Sequence, residues 1–169
     1  FTPVGREYVI TTSEKNITPA PWSNVLANAT FGTVISEKGS SYTWAENAHE
    51  YRLTPWNNDP ITDSGGEAIY LRDEDTGHFW SPSPLTDSVS KLDISRLGFG
   101  YSVFEHNENN IFTELIVYVA LDSSVKFSVL KVRNESGRTC RLSAVSYAEF
   151  VLGDMRHKTA MHINSRIDL

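Results

Sequence analysis

A single cysteine, Cys140, rules out an internal disulfide and leaves the redox compartment open. Long apolar runs are missing: none approaches the ~20 residues of a membrane-spanning helix, and no signal-peptide pattern is present. Basic charge is in deficit, 15 Lys and Arg against 21 Asp and Glu, for a net charge of −6. Without a basic stripe to displace counterions, nucleic acid is excluded as a partner. No window carries a helical stripe, because proline or glycine interrupts most candidates. No glycine-rich loop precedes a helix, so the usual backbone cradle for phosphate is absent. There is no initiator Met before FTPVGREYVI, and the chain is read as a piece of something longer.

What is present has ordinary globular proportions, 40% hydrophobic and 21% charged, enough for one domain over residues 1–169 with a real core. Strand candidates follow one another: Glu7 to Thr11, Phe31 to Ser36, Ser41 to Trp44 and Ala68 to Arg72. Pro19 and Pro21 mark NITPAPWSNVLANAT as an extended strap along the surface. Phe99 to His106 and Ile111 to Leu121 read as a hairpin around an asparagine-rich turn, followed by Val125 to Arg133 and Arg138 to Leu152. In the last run Cys140, Leu142, Ala144, Ala148 and Phe150 share one side. Alternation of this kind indicates antiparallel sheets, each half-covered by another. The expectation is an all-β, antiparallel two-sheet sandwich.

The most distinctive stretch runs from Trp44 to Pro84, with Trp44, Trp56 and Trp80 interleaved by His49, Tyr51, Arg52, Asn57, Asn58 and Asp59. Aromatic faces beside planar hydrogen-bonding groups suit a sugar ring, which stacks through its C–H face and pairs through its hydroxyls. The competing reading makes these aromatics core and loop anchors, since Trp is mostly buried.

Catalytic chemistry is hard to assemble from what remains. Asp59, Asp63, Glu67, Glu105 and Glu149 are carboxylates of the type a glycosidase uses, but no spacing pairs them. Asp59, between Asn58 and Pro60, is expected to cap a turn. The five histidines, His49, His78, His106, His157 and His162, are expected to be solvated or to fix loops. Asp73, Asp75 and Gly77 belong to a turn that lacks the other ligands of a calcium loop. No metal ligand set or catalytic residue is assigned. Arg52, Arg72, Arg96 and Arg156 could each hold an anion in two-pronged fashion. The three N-x-S/T triplets at Asn16, Asn28 and Asn134 carry little weight.

Longer strings go further. TPAPWSNVLANATFGTVISEKGSSYTWAENAHEYRLTPWNNDP, EAIYLRDEDTGHFWSPSP, RLGFGYSVFEH and YAEFVLG, in that order, closely resemble the inverting glycoside phosphorylases. That family includes cellobiose phosphorylase, β-1,2-oligoglucan phosphorylase and the phosphorylase-like region of cyclic β-1,2-glucan synthase. LTPW-NDP and VLG look closer to the β-1,2-glucan branch. One departure is Arg96-Leu97-Gly98, where relatives usually carry Arg-His-Gly.

The resemblance implies an N-terminal sandwich of the galactose-mutarotase-like, or supersandwich, type. The (α/α)6 barrel that carries the general acid and the phosphate site would lie outside these residues. On that expectation the chain is a non-catalytic domain that positions a β-glucan, contributes to a homodimer and does not insert into membrane. It would need no cofactor of its own, while the parent would use inorganic phosphate. The resemblance places Arg156 and His162 near the catalytic mouth, and the expected saccharide-contacting set is Arg52, Trp56, Asn58, Asp59, Arg96, Arg156 and His162. The implied setting is bacterial cytoplasm or the soluble part of an inner-membrane synthase. Two rivals stand beside it: a purely structural module that buries its aromatic loop against protein, and a stand-alone aldose 1-epimerase.

Overall fold

In the computed structural model, residues 1–3, 5–13, 15–57, 59, 61–85 and 92–168 are described. Among them the chain forms β1 (Glu7–Thr12), β2 (Ser23–Ala27), β3 (Phe31–Ser36), β4 (Ser41–Ala45), β5 (Glu67–Asp73) and β6 (Phe79–Trp80). It continues with β7 (Asp93–Gly98), β8 (Tyr101–Glu108), β9 (Ile111–Val119), β10 (Lys126–Asn134) and β11 (Leu142–Ala148). A short helix α1 (Arg156–Thr159) and a 3-10 turn (Ala160–His162) follow, neither burying a residue. All strand pairs are antiparallel. The expected all-β sandwich is what forms.

One layer is a five-stranded sheet in the order β1-β7-β8-β9-β10; the other is divided into β2-β3-β4 and β11-β5-β6. The reason lies in β9, IFTELIVYV, whose residues alternate without a fault between buried and half-buried. Its inward row meets both small sheets. Leu115, Val117 and Val119 join Phe104 against Leu26, Phe31 and Ile35, while Ile111 meets Leu71 and Trp80. Period-two patterning thus fixes which face is covered.

The β8–β9 turn is made by Asn109 and Asn110, at φ 52° and 62°. Two successive left-handed residues give the twist a two-residue hairpin requires, and asparagine tolerates it better than other side chains except glycine. Asn110→Val is expected to lower the unfolding free energy by about 1–2 kcal/mol, measured by urea denaturation, with Asn110→Gly neutral or stabilising.

Several expectations need correction. The strap contains a strand, β2, that pairs with β3 through Ser23↔Ser36 to Ala27↔Gly32. Phe99 does not begin a strand: Phe99 and Gly100 form the turn between β7 and β8, with Gly100 at φ 86°. The final run is strand only over Leu142–Ala148, so Phe150 is exposed instead of facing the core. His106 is neither solvated nor a loop anchor. The register of β8 places it with Phe104 and Ser102 on the inward face, where its Nδ1 lies 2.6 Å from Asp93 Oδ1.

Candidate functional site

The Trp-rich stretch divides once it is folded. Trp80 is 3% exposed and belongs to the core with Leu71 and Ile111. Trp44 is half-buried and tilts against Tyr42, with ring centroids 5.3 Å apart. Trp56 stands 41% exposed, its ring 4.7 Å from that of Tyr42. The core reading therefore holds for Trp80, while Trp56 is left at the surface.

The backbone that carries Trp56 is tied down on both sides. Asn47 Oδ1 accepts from the His49 and Glu50 amides at 2.8 and 3.0 Å, closing the loop after β4. Leu53 N donates to Thr43 O at 2.8 Å, and Val151 N to Leu53 O at 2.9 Å. Gly153 N donates to Arg52 O at 2.9 Å, so residues 52–53 bridge β4 to the segment after β11. Pro55 then passes so close to Gly66 that a Cβ there would sit 2.3 Å from Pro55 Cδ. Only glycine permits that approach.

This lacing brings two distant segments together. Arg52, Trp56, Asn57, Glu149, Asp154 and Arg156 line a groove of about 290 Å³. Arg156 Nη1 lies 2.5 Å from Glu149 Oε1, and Arg52 Nη1 donates to Asp154 O at 3.4 Å. The hydrogen bond from Lys158, 2.5 Å away, holds the Asp154 carboxyl below its ordinary range. Arg156 is largely exposed, whereas the Glu149 oxygen it faces is buried.

On the other flank of Trp56 is a smaller cavity of about 200 Å³, whose wall includes Tyr42, Ser64 and Asp63. Asp59 reaches it but is engaged in its own turn, accepting from the Ile61 and Thr62 amides at 2.9 and 3.3 Å and from Thr62 Oγ at 2.6 Å. Those bonds hold its carboxyl low, as a turn cap should be held. Burial pushes the Asp63 carboxyl up, although Ser36 Oγ donates to it at 2.5 Å.

Of the expected set, Arg52, Trp56 and Arg156 meet in the groove and Asp59 lies across Trp56 from it. Asn58 lies outside the described residues. His162 is on the 3-10 turn and lines neither cavity. Arg96 sits on the outer face of the five-stranded sheet, 3.5 Å from Glu7, 2.8 Å from Glu105 and 3.2 Å from Glu114. It is the hub of a carboxylate cluster, remote from the groove in the fold. Sequence reasoning passed over Tyr42 and Asp154. Tyr42 was open to discovery, since period two places it on the same side of β4 as Trp44; Asp154 carried no local signal.

The groove and the lacing that makes it lie within a recognisable sequence family. Residues 6–169 match the model described as "Glycosyl hydrolase 94, supersandwich domain". The chain belongs to the glycosyl hydrolase 94 supersandwich family. Its curated relatives include the cyclic beta-(1,2)-glucan synthase NdvB of Rhizobium meliloti (strain 1021), 36% identical over 169 residues, 99% of this chain and 6% of that protein. The N,N'-diacetylchitobiose phosphorylase of Vibrio proteolyticus is 31% identical over 160 residues, 93% of this chain and 20% of its own length. A third, the 3-O-beta-D-glucopyranosyl-beta-D-glucuronide phosphorylase of Paenibacillus borealis, is 42% identical over 78 residues, covering 46% of this chain and 9% of that protein. The supersandwich domain thus spans a fifth or less of these relatives.

Proposed function

We propose that this supersandwich domain positions an oligosaccharide along the Arg52–Trp56–Arg156 groove for chemistry carried out by other polypeptide. The domain itself is non-catalytic on this reading, and its saccharide is a β-linked glucan. The supporting observation is convergence: residues 52–57 and 149–156, about a hundred positions apart, supply one exposed indole and two guanidinium groups to a single groove. An indole face stacks on a pyranose ring while guanidinium N–H groups donate to its hydroxyls. The whole enzyme on this reading uses inorganic phosphate as co-substrate and works as a homodimer.

A second reading makes the same face a structural contact. It is favoured by Val145, Tyr147, Phe150 and Leu152, all more than half exposed along the strand and segment that lead to the groove. A titration separates the two. With β-1,2-glucan added, intrinsic Trp fluorescence is expected to change saturably, and Trp56→Ala is expected to weaken binding about tenfold or more, within the range of a hot-spot aromatic. No response in the unaltered chain would leave the structural reading standing.

A further inference from the structure

We propose that the smaller cavity beside Trp56 is a separate subsite for one neutral sugar ring, which packs on the joined Trp56 and Tyr42 rings and pairs with the Asp63 carboxyl group. This rests on the reading of the Trp56 groove as saccharide-binding and adds to it a second site of different selectivity.

Size is the first argument. At about 200 Å³ the cavity falls below the range of roughly 300–1,000 Å³ typical of drug-sized ligands, so it suits a single ring and not a chain. Shape is the second. The Tyr42 and Trp56 rings touch, with centroids 4.7 Å apart and planes inclined at 47°, so the pair offers one joint apolar wall. A pyranose lays a C–H face on such a wall and keeps its edge hydroxyls free to pair. The open polar atoms are the third. Asn57 Nδ2 is committed to Ser64, at 3.0 Å to O and 3.2 Å to Oγ, and Ser36 Oγ to Asp63 Oδ2. Among the described residues, no donor reaches Asp63 Oδ1 or the Asn57 side-chain oxygen; Asp63 is half-buried and Asn57 is exposed. Both are acceptors for sugar hydroxyls.

Charge sets the selectivity. Among the described residues no Lys or Arg lines this cavity, while two carboxyl groups, Asp59 and Asp63, do. The neighbouring groove is the reverse in kind, with Arg52 and Arg156 in its wall. A sugar acid or sugar phosphate brought here would meet the like charge of Asp59 and Asp63, with Lys38 the cation that acts on Asp63 from outside the lining, whereas a neutral ring would meet no such repulsion. The raised proton affinity of Asp63, which comes chiefly from burial, agrees with a site that already disfavours negative charge. Asp63 adopts φ 46°, a conformation asparagine tolerates, so Asp63→Asn removes the charge with little backbone strain.

The test is amide chemical-shift mapping of the chain titrated with methyl β-D-glucopyranoside and, separately, with methyl β-D-glucuronate. The neutral glucoside is expected to shift the amides of Ser40, Asp63 and Gly65 saturably, and the glucuronate to bind there about tenfold more weakly or worse. Asp63→Asn is expected to reduce that discrimination, and Arg156→Ala to leave it unchanged; an unperturbed remainder of the amide spectrum certifies that each variant is folded. Shifts confined to residues 149–156, or equal affinity for the two sugars in the unaltered chain, would overturn the subsite. If β-1,2-glucan still binds in an Arg156-dependent way, that failure leaves the groove reading intact. Absence of any response to glucan and glucoside alike overturns both.

Discussion

Replacing Glu67 with alanine is expected to lower the unfolding free energy by about 3–5 kcal/mol, the cost of leaving a buried charge without its partner. Glu67 opens β5, and its carboxylate joins all three sheets. It accepts from Ser41 Oγ at 3.0 Å and Thr43 Oγ1 at 2.6 Å on β4, and from Thr54 Oγ1 at 2.7 Å. From the facing layer it is met by Lys126 Nζ at the start of β10. Both side chains are about 15% exposed, so solvent screens the pair weakly. Truncation leaves the ammonium only Thr43 Oγ1, at 3.0 Å, and takes the carboxylate acceptor from three hydroxyls. Removing both charges in Glu67→Leu/Lys126→Met is expected to cost less than Glu67→Ala alone, because no ion is then left behind. Urea denaturation of the three proteins checks the order; a Glu67→Ala loss under about 1 kcal/mol, the scale of a surface pair, would show that the junction is not a buried one.

The same junction carries a pH signature. Burial pulls the Glu67 carboxyl upward, but the Lys126 charge and the hydrogen bonds from Lys126, Thr43 and Thr54 outweigh it and hold the carboxyl below its ordinary range. A depressed folded-state value means that the contribution is complete above the unfolded value, about 4.3, and is lost as pH falls through the lower folded one. Unfolding measured from pH 6 downward should therefore show stability falling below about pH 4, with a shallower fall in Glu67→Leu/Lys126→Met.

Phe104→Ala is expected to cost about 3–5 kcal/mol, through lost transfer energy and the cavity left behind. Phe104 is 0% exposed and sits in the cluster that Leu115 and Val117 share with Leu26, Phe31 and Ile35. Its deletion opens the contact between the five-stranded sheet and the β2–β3 pair at once. Val129→Ala on β10, at a site 39% exposed, should stay below about 1 kcal/mol and serves as the control. Thermal or urea unfolding decides it, and equal losses at the two positions would mean that the assigned core is wrong.

Those two residues also show what could be read from sequence and what could not. Phe104 and its neighbours on β9 announce themselves by alternation, and the sandwich follows from it. β2 was hidden because Pro19 and Pro21 immediately precede it, and proline argues against a ladder more loudly than SNVLA argues for one. β7 was hidden because DISRLG has only two strongly apolar residues; its burial comes from Asp93 and Ser95, which are inward and polar. For the same reason His106 was read as solvated: nothing local shows that a buried carboxylate faces it. The groove was half legible. Trp56, Arg52 and Arg156 were chosen from residue type and family likeness, but their meeting depends on hydrogen bonds between residues 52–53 and 151–153, which no short-range pattern encodes.

One further property follows from where the ladders stop. β10 and β11 are the last strands of their sheets, and β10 is nine residues long, beyond the usual five or six. Among the described residues no strand pairs with the outer margin of either, and Phe127, Val129, Val145 and Tyr147 are exposed along them. A margin of that kind templates the addition of any extended segment that drifts against it. Apart from Lys126, which is engaged with Glu67, Lys131 and Arg133 are the charges along β10 that discourage such capture, so neutralising them would weaken the chain's own safeguard against fibrous self-association.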